Sequence, residues 1–217
     1  MRLIILAIDA ALPRAGVAVV GADGSALARH YAPGRPGLIE TLPGLIETAI
    51  AQAGVKVEAV AVTVGPGSFT GLRTAISLAQ GYAAGAGIAV LGVSVAEAFA
   101  MAFPVLHRPL WVAVRARRDK IFLIRDGIPE GFADADIPFT RTPVAVAGDA
   151  ANEVAARLAA SGGDVLLTNA RLIDPLWVAQ AARGRHEAGL APHPAQPVYV
   201  DPPEAKLPAG GLRPEPV

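Results

Sequence analysis

Residues 64–73 form the part of this sequence best suited to bind an anion. They read Val-Gly-Pro-Gly-Ser-Phe-Thr-Gly-Leu-Arg, follow a predicted strand and open a predicted helix. Gly65 and Gly67 allow backbone conformations that other residues avoid, and they leave amide groups uncovered. Ser68 and Thr70 can cap the helix, whose N-terminus attracts negative charge. The stretch is therefore a candidate phosphate-binding loop, and the alternative is a tight structural turn.

The spacing of the glycines excludes two common nucleotide-binding motifs. A Walker loop needs a Lys-Ser or Lys-Thr pair after its glycines, and none follows here. Gly67 and Gly71 stand four residues apart, whereas the dinucleotide fingerprint needs about three and an acidic residue about twenty positions further on. The loop therefore matches neither motif, and Gly71 is a candidate phosphate contact together with the other loop residues.

Asp9 is the candidate carboxylate of this chain. It ends the first predicted strand, which begins at Leu3. A carboxylate at the C-terminal end of a strand, beside a crevice, is a common place for an acid that handles a metal or a phosphate. The alternative is an aspartate that caps a turn by accepting hydrogen bonds from the next backbone amides. Both interpretations remain open on spacing alone.

Histidine and cysteine chemistry is largely excluded by the sequence. Cysteine is absent, which excludes disulfides, thiol nucleophiles and zinc fingers. None of the four histidines pairs with another at a spacing of four residues on a helix, so a zincin-type metal site is also excluded. The four are His30, His107, His186 and His193. We therefore predict no metal site in this chain.

Composition predicts a folded protein without a strong overall field. The chain has 217 residues, of which 53% are hydrophobic and 18% are charged, which suits one large domain or two small ones. Nineteen basic and nineteen acidic residues cancel, so net charge will not hold a nucleic acid or an anionic membrane. A basic group on a predicted hairpin could still contact phosphate locally, although the sequence favours a solvated turn as its explanation. The group comprises Arg115, Arg117, Arg118 and Lys120.

A long uncharged stretch between Arg73 and Glu97 could be mistaken for a membrane span. Its 23 residues are enough to cross a bilayer. Eleven of them are alanine or glycine, however, and Gly85 and Gly87 interrupt them near the middle. The pattern therefore predicts a buried helix, a turn and a strand, and we expect no membrane association and a cytoplasmic location.

The first half of the chain contains the elements that must position these groups. Gly54 is a natural end for the first helix, Pro43 is acceptable in that helix if it lies in the first turn, and Asp23-Gly24 favours a tight two-residue hairpin turn. The order β-β-β-α-β-α-β-α is typical of the ribonuclease-H-like fold. Strands are predicted at 3–8, 16–20, 27–31, 58–64 and 88–93, and helices at 38–53, 70–84 and 94–101.

The second half resembles a weaker copy of the first. It predicts strands at 111–114, 120–125, 144–147 and 165–167, and helices at 152–160 and 176–182. We therefore predict an α/β protein with two tandem βα subdomains, the second one degenerate, at residues 1–104 and 105–200. Five of the last seventeen residues are proline, so residues 201–217 are expected to form an extended tail.

The helix after the glycine-rich loop is apolar on two faces. The stripe through Leu72 and Ile76 can lie on a sheet, and the stripe through Ala75, Leu78 and Tyr82 then needs a second cover. We predict that the neighbouring helix at 38–53 and a partner's equivalent helix pair together supply this cover, and that the chain forms a homodimer when the partner is absent. The alternative is that the chain's own core covers both stripes. The predicted interface comprises Leu42, Leu45, Ile46, Ala75, Leu78 and Tyr82.

These segments closely resemble the TsaB/YeaZ family over nearly the whole chain. The glycine-rich decapeptide is the most specific part of the resemblance. The matching segments are 4–9, 61–73, 91–94 with Glu97, 112–122 and 197–205.

The resemblance implies the ASKHA fold, shared with sugar kinases, heat-shock chaperones and actin. It also implies a non-catalytic subunit in bacterial synthesis of threonylcarbamoyl-adenosine, the tRNA modification beside the anticodon. The family's catalytic partner is TsaD, which pairs with the N-terminal domain, and TsaE is the ATPase of the complex. ATP or ADP and a divalent metal are then expected in the partner subunits rather than in this chain, and tRNA is contacted indirectly through the complex.

Four departures from the family pattern weaken an independent active site. Ala10, Ala11 and Leu12 follow Asp9 where the family usually has hydroxyl residues, which leaves fewer phosphate donors. Arg115 stands where the second-domain hairpin usually begins with aspartate. Residues 35–37, Arg-Pro-Gly, replace a usual His-Ser pair, and the second half is short.

Three functions are candidates for a chain with this resemblance. A non-catalytic scaffold needs only the glycine-rich loop and the N-terminal helices. A small-molecule kinase of the ASKHA type needs phosphate loops in both halves, and the second half has only Gly148-Asp149. The old glycoprotease label needs paired histidines on a helix, which the sequence lacks. The sequence therefore favours the scaffold, with the kinase as the alternative.

Overall fold

A computed structural model describes residues 3–32, 38–117 and 119–201, without the side chains of Leu38 and Ile39. Three of the sequence predictions lie outside these residues. They concern the Arg-Pro-Gly segment at 35–37, Arg118 in the basic hairpin, and the proline-rich tail beyond Asp201.

The first sheet has five strands in the order β3-β2-β1-β4-β5. Strands β1, β2 and β3 form an antiparallel meander, and β1, β4 and β5 are parallel. Every residue of β1, β2 and β4 is buried, which explains why these segments are continuous apolar runs rather than alternating ones. The strands are β1 Ile5–Asp9, β2 Gly16–Val20, β3 Ala26–Tyr31, β4 Ala59–Gly65 and β5 Ala89–Ser94.

Three helices belong to this half: α1 Leu38–Ala53, α2 Phe69–Ala86 and α3 Val95–Ala100. Their ends follow local signals, since Gly54 and Gly87 have φ of 61° and 67° and Ser94 forms a capping box with Glu97. The predicted order of elements is confirmed.

Two local predictions about this half are wrong. Pro43 lies inside α1, beyond the first turn, because the helix already begins at Leu38. The hairpin between β2 and β3 has a longer loop than two residues. Gly21 N–H bonds to the Ser25 carbonyl, and Gly24, but not Asp23, has a positive φ, so the turn is followed by a bulge rather than being a two-residue type I′ turn.

The second sheet also has five strands, in the order β10-β9-β6-β7-β8. Strand β8, Ile128–Ala133, was missed by the sequence analysis because Pro129 and Gly131 are unfavourable in strands. The remaining elements agree with the prediction to within a few residues. They are β6 Leu110–Arg117, β7 Lys120–Arg125, β9 Val144–Ala147, α4 Ala151–Ala160, β10 Val165–Leu167 and α5 Pro175–Glu187.

Helix α5 follows the second sheet in the chain but packs against the first. It contacts β1 and β2, and Arg183 donates to the carbonyl oxygens of Leu3 and Gly21 at 3.0 and 2.7 Å. Helices α1 and α2 therefore cover one face of the first sheet, and α5 covers the other. The core under α5 also includes Val112 and Ile124 of the second sheet, so the two halves share one hydrophobic core. The exact subdomain boundaries stay a prediction.

Candidate functional site

A cleft of about 1120 Å³ lies between the two sheets. The turn after β1, the glycine-rich loop, the end of β6 and the segment at 198–201 border it. Most of its wall is apolar, and its charged side chains include both signs. The lining residues are Ala11, Leu12, Pro13, Gly67, Ser68, Phe69, Thr70, Leu72, Arg73, Arg115, Ala116, Arg117, Phe122, Asp149, Val198, Tyr199, Val200 and Asp201.

The glycine-rich loop packs directly on the backbone of the turn after β1. A methyl group at Gly67 would overlap the Ala11 carbonyl oxygen, and one at Gly71 would overlap that of Ala10. The Ser68 N–H donates to the Ala11 carbonyl at 2.7 Å. Close backbone approach is sufficient to require these two glycines, as the structural-turn interpretation expects. Phosphate binding by the loop stays a prediction.

The other loop residues divide between structural and cleft positions. Gly65 has φ of 116° and ends β4, which only glycine tolerates readily. The Ser68 hydroxyl caps α2 by accepting a hydrogen bond from the Gly71 N–H at 3.2 Å. Thr70 and Phe69 are exposed at the rim of the cleft. Of the predicted phosphate contacts, Gly67, Ser68 and Thr70 therefore border the cleft, while Gly65 and Gly71 shape the loop.

Asp9 is fully buried beneath the cleft and does not line it. Its Oδ1 accepts hydrogen bonds from the Thr63 hydroxyl at 2.7 Å and the Ala11 N–H at 3.1 Å. Its Oδ2 is buried without a hydrogen-bond partner among the described residues. Burial raises the pKa of Asp9 to about 6, although the Thr63 and Ala11 hydrogen bonds favour the charged form. The aspartate thus acts partly as the turn cap that the sequence offered as its alternative role.

Replacing Asp9 by asparagine should change the pH dependence of stability. The folded pKa lies above the unfolded one, so the stability gained from the proton is present below about pH 4 and lost by about pH 6. Above that range the buried charge lowers the free energy of unfolding by ~3 kcal/mol. Asparagine removes the charge, but its buried NH₂ group has no acceptor, which lowers the free energy of unfolding by about 2 kcal/mol. Asp9→Asn should therefore be more stable than the parent by ~1 kcal/mol at neutral pH and less stable at acid pH. Urea unfolding at both pH values measures this, and a difference independent of pH would contradict it.

The described cations of the basic hairpin, Arg115, Arg117 and Lys120, are each paired with a carboxylate. The Arg115 guanidinium contacts both Asp134 oxygens at 2.7 and 2.8 Å and Glu153 at 3.1 Å. The Arg115 N–H donates to Asp149 at 2.9 Å, and burial raises the pKa of that carboxyl. Lys120 pairs with Asp201 at 2.5 Å. The sequence did not predict this network of ion pairs, because Asp134, Glu153 and Asp201 are distant in sequence from the cations that they contact.

The described residues do not fit a resident metal ion. No group of three His, Cys, Asp or Glu side chains comes together within them. The turn after Asp9 supplies alanine and leucine side chains where a phosphate would need hydroxyls. In the described part of the chain, none of the helices has the length and apolar character needed to cross a membrane.

Comparison with known families decides the relationship that this geometry leaves open. The family model described as "TsaD: tRNA N6-adenosine threonylcarbamoyltransferase" matches residues 37–162, more than half of the chain. The chain belongs to the TsaD family. The chain is also similar to proteins named TsaB or YeaZ, and its two five-stranded sheets have the ASKHA fold.

Three relatives illustrate this placement. The "tRNA threonylcarbamoyladenosine biosynthesis protein TsaB" of Haemophilus influenzae is 33% identical over 98 residues, 42% of each chain, so the match spans less than half of that relative. YeaZ from Pseudomonas aeruginosa has a TM-score of 0.71 at 24% identity, over 90% of this chain and 98% of its own. A Pseudomonas aeruginosa protein with similarity to the peptidase YeaZ has a TM-score of 0.74 at 24% identity, over 92% and 100%.

The predicted interface residues of this TsaD-family chain fall into two groups. Leu42, Ile46 and Ala75 are buried in the core of the chain itself. Their prediction as interface residues is corrected, because a buried side chain does not present a surface to a partner. Ala75 follows Leu72 by three residues and precedes Ala79 by four, which places it on the buried face of α2. Leu45, Leu78 and Tyr82 are partly exposed and pack at the edge of the same core. These last three carry the interface prediction.

Proposed function

We propose that this chain is a non-catalytic subunit that binds and activates a TsaD catalytic subunit in the synthesis of threonylcarbamoyl-adenosine on tRNA. The observation that carries the proposal is the state of the cleft. Asp9, which is fully buried, lies beneath the cleft without a metal-ligating neighbour among the described residues. The carboxylates of Asp149 and Asp201 line the cleft, and they are held by the Arg115 N–H and by Lys120. A transferase or kinase would need a carboxylate or metal placed at the reacting atoms.

The α1–α2 surface supports a role in assembly. Leu45, Leu78 and Tyr82 are partly exposed there, and Gly81 and Gly85 in α2 have open space where a side chain would stand. Small residues beside half-buried apolar ones let another helix approach closely, and covering such a patch removes apolar area from water. The partner we propose for this surface is TsaD, or a second copy of this chain when TsaD is absent.

The proposal extends to the wider complex. The TsaE ATPase would join the pair formed with TsaD, and tRNA would be held mainly by the other subunits. The ion pairs of Arg115 support this division. Its guanidinium is paired with Asp134 and Glu153, whereas phosphate binding requires available cations. We propose a cytoplasmic location because the substrate is tRNA.

Reconstitution tests the proposed function. The pure chain, given ATP, threonylcarbamoyl-adenylate and tRNA, should neither hydrolyse ATP nor modify the tRNA. TsaD from the same organism should co-elute with it, and modification should appear when both are present with TsaE. The control is each protein alone at the same concentration. Turnover by this chain after removal of contaminating TsaD, or failure to co-elute, contradicts the proposal.

A further inference from the structure

The segment from His193 to Asp201 crosses the cleft and contacts both halves of the molecule. Its last four residues, 198–201, form one wall of the cleft. It follows α5 in the chain, yet it belongs to neither sheet except for one isolated antiparallel bridge between His193 and Gly92. We call residues 193–201 the strap.

The strap is attached to the first half at four successive points. His193 lies 2.9 Å from Glu97, and Gln80 of α2 donates to the Ala195 carbonyl at 2.9 Å. The Val198 N–H donates to the Val64 carbonyl at the end of β4, at 2.8 Å. The Arg73 guanidinium then donates to the Tyr199 hydroxyl at 2.9 Å. These contacts follow the edge of β5 and end beside the glycine-rich loop.

The far end of the strap is attached to the second half by charge. Asp201 accepts from Lys120 Nζ at 2.5 Å and lies 3.9 Å from an Arg117 nitrogen. Lys120 and Arg117 stand on either side of the β6–β7 turn. The side chains of Lys120 and Asp201 are only 23% and 34% exposed, so water screens this pair less than a fully exposed one.

We propose that the strap is an intramolecular clamp that holds the two halves of the molecule together across the cleft. Two residues separate the main-chain hydrogen bond at Val198 from the ion pair at Asp201. Such a short, extended connection fixes the separation of the end of β4 and the β6–β7 turn. Release of either attachment frees the halves to separate about the shared core beneath α5. The inference concerns this chain alone and stands independently of its pairing with TsaD.

Distance measurements between spin labels test the clamp without background, because the chain has no cysteine. Labels are placed at Ala51→Cys in α1 and Ala160→Cys in α4, both exposed. Asp201→Lys repels Lys120, and Val198→Pro removes the N–H that bonds to Val64. Both variants should broaden the label distribution or move it to longer distances, relative to the parent.

The matched control is Glu130→Lys, which reverses one charge of the Arg125–Glu130 pair within the second sheet and should leave the distribution unchanged. Hydrogen exchange gives a second measurement, since the Val198 amide should be protected in the parent and exchange roughly two- to fivefold faster in Asp201→Lys. Identical distributions in the parent and both strap variants would overturn the clamp. So would an equal change in the control, or a Val198 amide that is unprotected in the parent.

Discussion

Leu78→Glu should abolish co-elution with TsaD while leaving the chain folded. Leu78 is partly exposed at the edge of the α1–α2 core, so its longer, charged replacement can point into water in the free chain. In the complex the same carboxylate would be buried without a partner. An unpaired buried charge costs ~3 kcal/mol or more, which corresponds to affinity weakened by roughly 100-fold.

The measurement is size-exclusion co-elution followed by titration, with circular dichroism to verify folding. A matched control is Leu190→Glu, which makes the same substitution at an exposed leucine beyond the end of α5 and should bind normally. A folded Leu78→Glu protein that still binds TsaD with parent affinity would show that this surface is not the interface. Outright unfolding would favour the alternative, in which the chain's own core needs Leu78.

Gly71→Ala should be the most destabilising single-methyl substitution in the glycine-rich loop. The new methyl group would overlap the Ala10 carbonyl oxygen, and that oxygen belongs to backbone that cannot rotate away as a flexible side chain can. Either the turn after β1 or the start of α2 must move. We expect a loss of about 3 kcal/mol in the free energy of unfolding, at the upper end of overpacking effects.

Gly81→Ala is the matched control in the same helix. Nothing lies within 4 Å of the position where its Cβ would stand, and alanine is favoured over glycine inside helices by ~0.5–1 kcal/mol. The control should therefore be slightly more stable than the parent in urea or thermal unfolding. If Gly71→Ala were as stable as Gly81→Ala, the loop would not pack on the turn as described, and a ligand-binding requirement would have to explain the glycine instead.

Local patterns allowed the elements of the first half to be predicted from the sequence. Apolar spacing predicted α1 from Leu38 to Ala53, and Ser94 as a helix cap predicted the start of α3, because caps and periodicity act within a few residues. The order of strands and helices then predicted the ribonuclease-H-like class. The glycine-rich decapeptide was specific enough to indicate the family, and composition excluded thiol chemistry outright.

The tertiary structure decided what depends on residues far apart in the chain. Strand β8 forms despite Pro129 because it is an edge strand beside β7, where an unfavourable local sequence is tolerated. The orientation of α2 buried Ala75 and left Leu78 partly exposed, a distinction that two adjacent apolar stripes could not make.

The candidate site was likewise predictable from the sequence only in part. The sequence identified Asp9 and the loop as candidates, but the hydrogen bond from Thr63 to Asp9 depends on how β1 and β4 pair. The same pairing leaves the Asp9 Oδ2 without a partner among the described residues. The contacts of the strap could not be predicted from the sequence. Its partners, Val64 and Lys120, lie 134 and 81 residues before the strap residues that they contact. Contacts over such separations are selected by the packing of the whole chain, and local propensity carries no record of them.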